Sequence, residues 1–215
     1  MRRAANCTLL FLQAAGRPFN PVSLFPDVRF LVSAAQPGQF PPDEGAEVAF
    51  AGRSNAGKSS AINAIVQRHG LARVSKTPGR TRLLNFFELG AGRRIVDLPG
   101  YGYAAAPEAE RRTWAPLIGA LRERESLRGL VLIVDSRRGV AAEDENLIAW
   151  AREGGKEMAV HALLSKSDKL TRSESTKALR EAKAKLGEGA TVQLFSSLDK
   201  TGIEEAQRML KAWLA

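Results

Sequence analysis

The chain has 215 residues, 44% hydrophobic and 26% charged, enough to bury a sizeable core and most economically read as one α/β domain. Its 32 Lys and Arg against 23 Asp and Glu give a formal net charge of +9, which favours an anionic partner without identifying one, since solubility alone also draws on surface charge. The single cysteine, Cys7, excludes an intramolecular disulfide framework and suits a reducing compartment, and no apolar run approaches the roughly 20 residues of a membrane span.

Residues 1–45 read as an N-terminal extension packed on a core domain that spans 46–215. Met1-Arg2-Arg3 followed by Leu9-Leu10-Phe11-Leu12 and Ala14-Ala15 imitates an export signal, but its apolar part is short and broken by Gln13. It reads instead as a local helix or a start codon set too far upstream, and the expected location is the cytoplasm. Pro18, Pro21 and Pro26 interrupt the stretch that follows. Residues 28–34 are a short strand candidate, and Phe25, Phe30, Leu31 and Val32 are expected to pack inward.

The first chemistry lies just beyond. An apolar run over 48–51 ends at Gly52, and four residues later come Gly57-Lys58-Ser59, the spacing that closes a strand and opens a helix around a phosphate. In such a loop backbone N–H groups point at the phosphates, the helix N-terminus adds partial positive charge, Lys58 reaches the β/γ oxygens and Ser59 offers a hydroxyl to Mg²⁺. An ordinary glycine turn does not account for both glycines, the lysine and the serine in register after a hydrophobic strand. A helix over 59–67 follows, with Ile62 and Ile65 on its apolar side, and Gly70 stops it. Residues 71–82, with Pro78-Gly79, read as a mobile basic loop. Residues 83–89 and 94–98 form a hairpin turned through Gly90 and Gly92, whose second strand delivers Asp97 to the phosphates. A site for a Mg²⁺-nucleotide wants such a carboxylate for the ion's water shell, and a glycine beyond it, here Gly100, whose N–H senses the γ-phosphate.

Tyr101-Gly102-Tyr103-Ala104 is a loop before a charged helix over 108–124, which packs through Trp114, Leu117, Ile118 and Leu121. Residues 130–134, ending at Asp135, have the pattern of a strand covered on both faces; a basic turn, Arg137-Arg138-Gly139, and a helix over 143–152 follow. Residues 159–164 are another buried strand, ending in Ser165-Lys166-Ser167-Asp168. Asp168 can accept both the N1–H and the 2-amino hydrogens of guanine, a pairing adenine cannot return, while Lys166 lays its stem over the ring. The same four residues also suit a cap on the helix after Leu170, and both readings stand at this point. Residues 171–187 form a basic amphipathic helix with Leu179 and Leu186 inward and Arg172, Lys177, Arg180, Lys183 and Lys185 outward, either a solvated face or a nucleic-acid face. A strand over 192–195, the turn Ser196-Ser197-Leu198 and a helix over 202–214 packed through Met209, Leu210 and Trp213 close the chain. This succession implies an α/β fold, a three-layer mixed sheet with helices on both faces and ligands outside the carboxyl ends of the strands.

Taken in order, Gly52-Arg53-Ser54-Asn55-Ala56-Gly57-Lys58-Ser59-Ser60, Thr77-Pro78-Gly79-Arg80-Thr81, Asp97-Leu98-Pro99-Gly100-Tyr101, Ser165-Lys166-Ser167-Asp168 and Ser196-Ser197-Leu198 resemble the translation-factor-related GTPases. Within them the chain is similar to the bacterial EngB family, also called YihA or YsxC. The resemblance implies a monomeric, Ras-like P-loop GTPase domain that binds GTP and GDP with Mg²⁺ and hydrolyses GTP slowly. It further implies a nucleotide-timed assembly factor for the large ribosomal subunit, with rRNA and ribosomal proteins as partners, neither membrane nor DNA, and a link to septation.

The resemblance also implies roles residue by residue. Gly52, Arg53, Ser54, Asn55, Ala56, Gly57, Lys58, Ser59 and Ser60 hold the phosphates. Pro78, Gly79, Arg80 and Thr81 form the first switch, with Thr81 joining Ser59 and Asp97 around Mg²⁺. Asp97, Leu98, Pro99 and Gly100 form the second. Ser165, Lys166 and Asp168 recognise guanine, and the backbone about Ser196, Ser197 and Leu198 reaches its carbonyl oxygen. Lys58, Thr81, Gly100 and Asn55 are placed at the chemistry; Asn55 stands where K⁺-activated relatives hold the ion, with a loop-stabilising role as the plainer reading. Ser165 stands where this family usually has Thr and the wider superfamily Asn, so the amide's two-sided contact to base and phosphate loop is not expected, and weaker nucleotide binding is. Tyr101 fills the place of a water-orienting glutamine and offers no amide. Two other classes fit the phosphate loop: an ATPase or metabolic kinase, which would not need Asp168, and a nucleotide-independent RNA-binding module. Arg73, Lys76, Arg80 and Arg82 lie where nucleotide state could control contact with rRNA phosphates.

Overall fold

A computed structural model describes residues 24–72, 83–101, 116–153 and 158–215. The strands are β1 (Arg29–Ala34), β2 (Ala46–Gly52), β3 (Leu84–Glu88), β4 (Arg93–Asp97), β5 (Leu127–Asp135), β6 (Ala159–Ser165) and β7 (Ala190–Leu194). They make one mixed sheet in the order β1-β3-β4-β2-β5-β6-β7. β1, β3 and β4 pair antiparallel, whereas β4, β2, β5, β6 and β7 run parallel.

Every residue of the central strand β2 is buried, as a near-continuous apolar run requires when both faces are covered. Alternation along it feeds two cores. Val48 and Phe50 pack with Ile62 and Ile65 of α1 (Lys58–Ile65) and Leu210 of α5 (Ile203–Trp213). Ala49 and Ala51 face Leu117 and Leu121 of α2, whose described part is 116–122, with Ile148 of α3 (Ala142–Arg152) and Leu186 of α4 (Arg172–Leu186). The three-layer arrangement expected from the order of elements is the one observed.

One packing expectation fails. Phe25 and Val28 are buried, but Phe30 and Leu31 remain 51% and 38% exposed. β1 is an edge strand with a bulge between Phe30 and Val32, and Phe30 meets Phe87, edge to face, with ring centroids 5.9 Å apart. Residues 29–34 are thus a strand of the sheet itself. The export-like residues 1–23, the loop 73–82, the loop 102–104 and Trp114 lie outside the described residues. Among those described, no helix is long and apolar enough to cross a membrane.

The amino end of the sheet is tied by charge. Glu47, fully buried, accepts Arg94 Nε and Arg124 Nε, each at 2.7 Å. Both guanidinium groups also donate to the carbonyl of Pro42, at 2.9 and 3.0 Å, so the loop before β2 is pinned between β4 and the start of β5. Asp43 accepts the backbone N–H groups of Glu125 and Ser126 and the Ser126 hydroxyl. Burial opposes its charge, yet these bonds, Ser126 foremost, with Arg124 nearby, hold its pKa down at about 2.

Candidate nucleotide site

The parallel strands β2, β4, β5 and β6 end along one edge, which brings Gly52, Asp97, Asp135 and Ser165 there from distant parts of the chain. Phe50 pairs with Asp97, and Asp135 with Ser165, so the register aligns the carboxylates with the loop that follows β2. This is where an open α/β sheet receives ligands.

Gly57 is the N-cap of α1 at φ +97°, a left-handed conformation that a side chain would strain. Lys58 and Ser59 then begin the helix, whose first N–H groups have no partner within it. The Lys58 ammonium bonds the Asp97 carboxylate, and both side chains are largely buried, at 11% and 7% exposure. Beyond Asp97, Gly100 is exposed and lies against the phosphate loop; a Cβ there would stand 3.0 Å from Ser54 Oγ. The backbone of Tyr101 continues that contact, its carbonyl accepting the Ser54 N–H at 2.9 Å. A phosphate chain with a divalent cation calls for free N–H groups, an ammonium, a hydroxyl and a carboxylate on one spot. Gly57, Lys58, Ser59 and Asp97 supply that donor set, and the Lys58–Asp97 pair brings the two charges together, so the residues fit Mg²⁺ and a nucleotide.

At the end of β6, Ser165 is buried and its hydroxyl lies 2.5 Å from the Ala56 carbonyl and 3.1 Å from that of Val134. The serine reaches one of the two partners that an amide would span. The contact to the phosphate loop is kept; a hydroxyl has one proton where an amide has two and an oxygen besides, so it is the base side that a serine lacks. Lys166, itself at φ +59°, donates to the Asn55 carbonyl at 2.6 Å and to Asp135 Oδ2 at 2.9 Å. Asn55, at φ +64°, is exposed at the turn of the loop.

Asp168 lies on a 3₁₀ turn, Ser167–Lys169, and Ser196 Oγ donates to its Oδ1 at 2.7 Å. That bond, with the neighbouring Lys169, holds the carboxyl below its ordinary pKa. Ser196 is fully buried and also accepts the N–H groups of Leu198 and Asp199, so one hydroxyl fixes both Asp168 and the loop carrying the exposed Ser197 and Leu198. The alternative role for these residues, a cap after Leu170, does not hold. Thr171 caps α4 in a box with Glu174, whose N–H donates to the threonine hydroxyl at 3.3 Å while its carboxylate accepts the Thr171 N–H at 2.8 Å.

Two carboxylates were given no role in the sequence reading. Asp135, almost fully buried, accepts Lys166 and both Nε and Nη2 of Arg137, at 2.9 and 2.7 Å. Burial opposes its charge, but the bonds from Arg137 and Lys166 outweigh it and keep the carboxyl well below the usual range. A strand-end aspartate equivalent to Asp97 was the signal that could have found it. Asp144, on α3, takes the Tyr101 hydroxyl at 2.5 Å. Burial, then the charge of Asp144, raises the tyrosine's pKa. The first-switch residues Pro78, Gly79, Arg80 and Thr81 lie outside the described residues.

Residues 47–166 match the family described as 50S ribosome-binding GTPase. The chain is 53% identical over 196 residues to the probable GTP-binding protein EngB of Azoarcus sp. (strain BH72), covering 89% of this chain and 93% of that protein. It is 46% identical over 201 residues to the protein of the same name from Coxiella burnetii (strain CbuK_Q154), covering 92% and 97%. Among solved structures, that of a probable GTP-binding protein engB matches with a TM-score of 0.64 at 22% identity, over 79% of this chain and 98% of that one. Era, crystallised with MgGDPNP and nucleotides 1506–1542 of 16S ribosomal RNA, matches with a TM-score of 0.61 at 20% identity, over 80% and 57%. At these identities the structural matches speak for the fold.

Proposed function

The chain belongs to the EngB family of P-loop GTPases and has the Ras-like fold, and from that premise we propose that it hydrolyses GTP slowly and times a step in assembly of the large ribosomal subunit. It is a GTP-binding protein related to ribosome-associated GTPases. The observation that carries the reading is Lys166, whose ammonium, 2.6 Å from the Asn55 carbonyl, joins the base motif to the phosphate loop through one side chain.

In this reading the loop from Gly52 to Ser60 holds the phosphates, and Lys58 turns from Asp97 towards the β/γ oxygens. Ser59, Thr81 and Asp97 are the residues that would hold Mg²⁺, which when bound neutralises charge between the β- and γ-phosphates. Gly100 offers its N–H to the γ-phosphate. Asp168, oriented by Ser196, accepts the two guanine donors. Tyr101 is unsuited to activating water, because its hydroxyl already donates to Asp144 and its proton is held tightly. Slow intrinsic turnover follows, rising on a partner or with K⁺ held at Asn55; equal rates in matched potassium and sodium salts would sink the cation part. The match to a 50S ribosome-binding GTPase family and the net charge of +9 favour a large-subunit partner held partly through RNA phosphates, and a dependence of septation is expected to follow from assembly.

The test is co-sedimentation of the pure protein with large ribosomal subunits, in GDP or a non-hydrolysable GTP analogue, at two salt concentrations. Binding that prefers the analogue and falls with salt is expected. Binding that falls with salt but is indifferent to nucleotide would remove the timing role and leave a nucleotide-independent RNA-binding module, and binding indifferent to salt would remove the contact with RNA phosphates.

A further inference from the structure

Gly100 is exposed and has no side chain, so whatever fixes its N–H acts through its neighbours. Tyr101 provides two attachments. Its carbonyl accepts the Ser54 N–H at 2.9 Å, within a parallel bridge between Arg53 and Tyr101 that lays the second switch on the phosphate loop. Its hydroxyl reaches into the protein and donates to Asp144 Oδ1 at 2.5 Å. Asp144 is fully buried in the first turn of α3, and its other oxygen accepts the Ala141 N–H at 2.8 Å. One carboxylate therefore caps the helix with one oxygen and anchors the switch with the other; burial raises its pKa, against the bonds from Tyr101 and Ala141 and the charge of the nearby Arg53 guanidinium.

Resting on the GTPase reading above, we propose that the Tyr101–Asp144 bond presents the Gly100 N–H to the γ-phosphate, making Tyr101 and Asp144 positioning residues that set the preference for guanosine triphosphate over diphosphate. A diphosphate makes no use of that N–H, so its affinity does not draw on the bond. A triphosphate does: with the hydroxyl released, Tyr101 keeps its backbone contact to Ser54 but loses its tie to α3, and the ligand must order the segment about Gly100 on binding.

Tyr101→Phe removes one oxygen and keeps the ring. Affinities for fluorescent GDP and a fluorescent non-hydrolysable GTP analogue, with Mg²⁺, read the effect. The analogue is expected to weaken about tenfold, as for loss of one hydrogen bond to a charged group, while GDP stays within about twofold. Asp144→Asn separates the switch from the helix cap. An amide bonds a hydroxyl through either of its ends but offers one acceptor in place of two, so this variant should melt lower yet keep most of the triphosphate preference. An unchanged ratio in Tyr101→Phe, equal weakening of both nucleotides, or a ratio in Asp144→Asn as low as in Tyr101→Phe would overturn the proposal. Failure of the unsubstituted chain to bind either nucleotide would instead overturn the GTPase reading.

Discussion

His161 lies on β6, 5% exposed, with the edge of Trp213 against its ring. Its Nε2 is 2.9 Å from Gln193 Oε1, and Gln193 spends its amide nitrogen on the Gly202 carbonyl at 2.7 Å. The oxygen facing His161 can only accept, which assigns the proton to Nε2 and leaves Nδ1 to accept from the Thr191 hydroxyl at 2.6 Å. Burial lowers the ring's pKa and so favours its neutral form, against the bond to Gln193 and the charge of Glu205 on α5. An unfolded histidine titrates near pH 6.5. Below that pH the unfolded chain takes up a proton that the folded one refuses, so the stability present above about pH 6.5 is lost as the pH falls. The melting temperature should drop more steeply on acidification from about pH 7.5 to 5.5 than in His161→Asn, which has no ring to protonate. Parallel profiles for the two proteins would show that His161 does not set this dependence.

Among the elements, β2 is fastened most firmly at the end away from the nucleotide site. Glu47 there carries one negative charge between two buried guanidinium groups, with Arg94 and Arg124 side chains each 8% exposed. Glu47→Gln keeps the shape and removes the charge that lies between the two buried cations, leaving Arg124 to face the Asp43 carboxylate at 3.9 Å, and should destabilise by about 3–5 kcal/mol in urea denaturation. A loss below about 1 kcal/mol would mean that the carbonyls of the preceding loop satisfy the arginines unaided. How legible each element was follows from what defines it. The core of β5 is visible as the apolar run over 130–134, but the strand begins at Leu127, because Arg128 and Gly129, which break that run, also belong to it and Gly129 makes room for the Trp213 ring. The start of α4 is written in Thr171 and Glu174, which have the capping-box spacing just beyond Ser165-Lys166-Ser167-Asp168. The exposure of Phe30 could not be read, because it depends on where β1 falls in the sheet order and not on β1 itself.

At the scale of the whole molecule, the phosphate loop, Asp97 and Asp168 were legible because each sits in a short local motif with its own chemistry. Asp135 and Asp144 were not, since their partners Lys166 and Tyr101 lie 31 and 43 residues away and only the sheet joins them. That sheet has a further property. β2 stands fourth of seven strands, bonded to β4 on one side and β5 on the other, while β1 and β7 stand at the two ends of the order. An amide in β2 can exchange its hydrogen with heavy water only when the whole sheet comes apart, whereas an amide in β1 needs only local fraying. A ligand that binds the folded chain alone slows global opening by the factor 1 + [L]/Kd, about a hundredfold at 100 times Kd, and leaves fraying untouched. Saturating GDP should therefore protect the amides of Val48 and Phe50, which lie deep in the sheet, far more than those of β1. A nucleotide resting on one edge of the sheet would be felt chiefly at its centre.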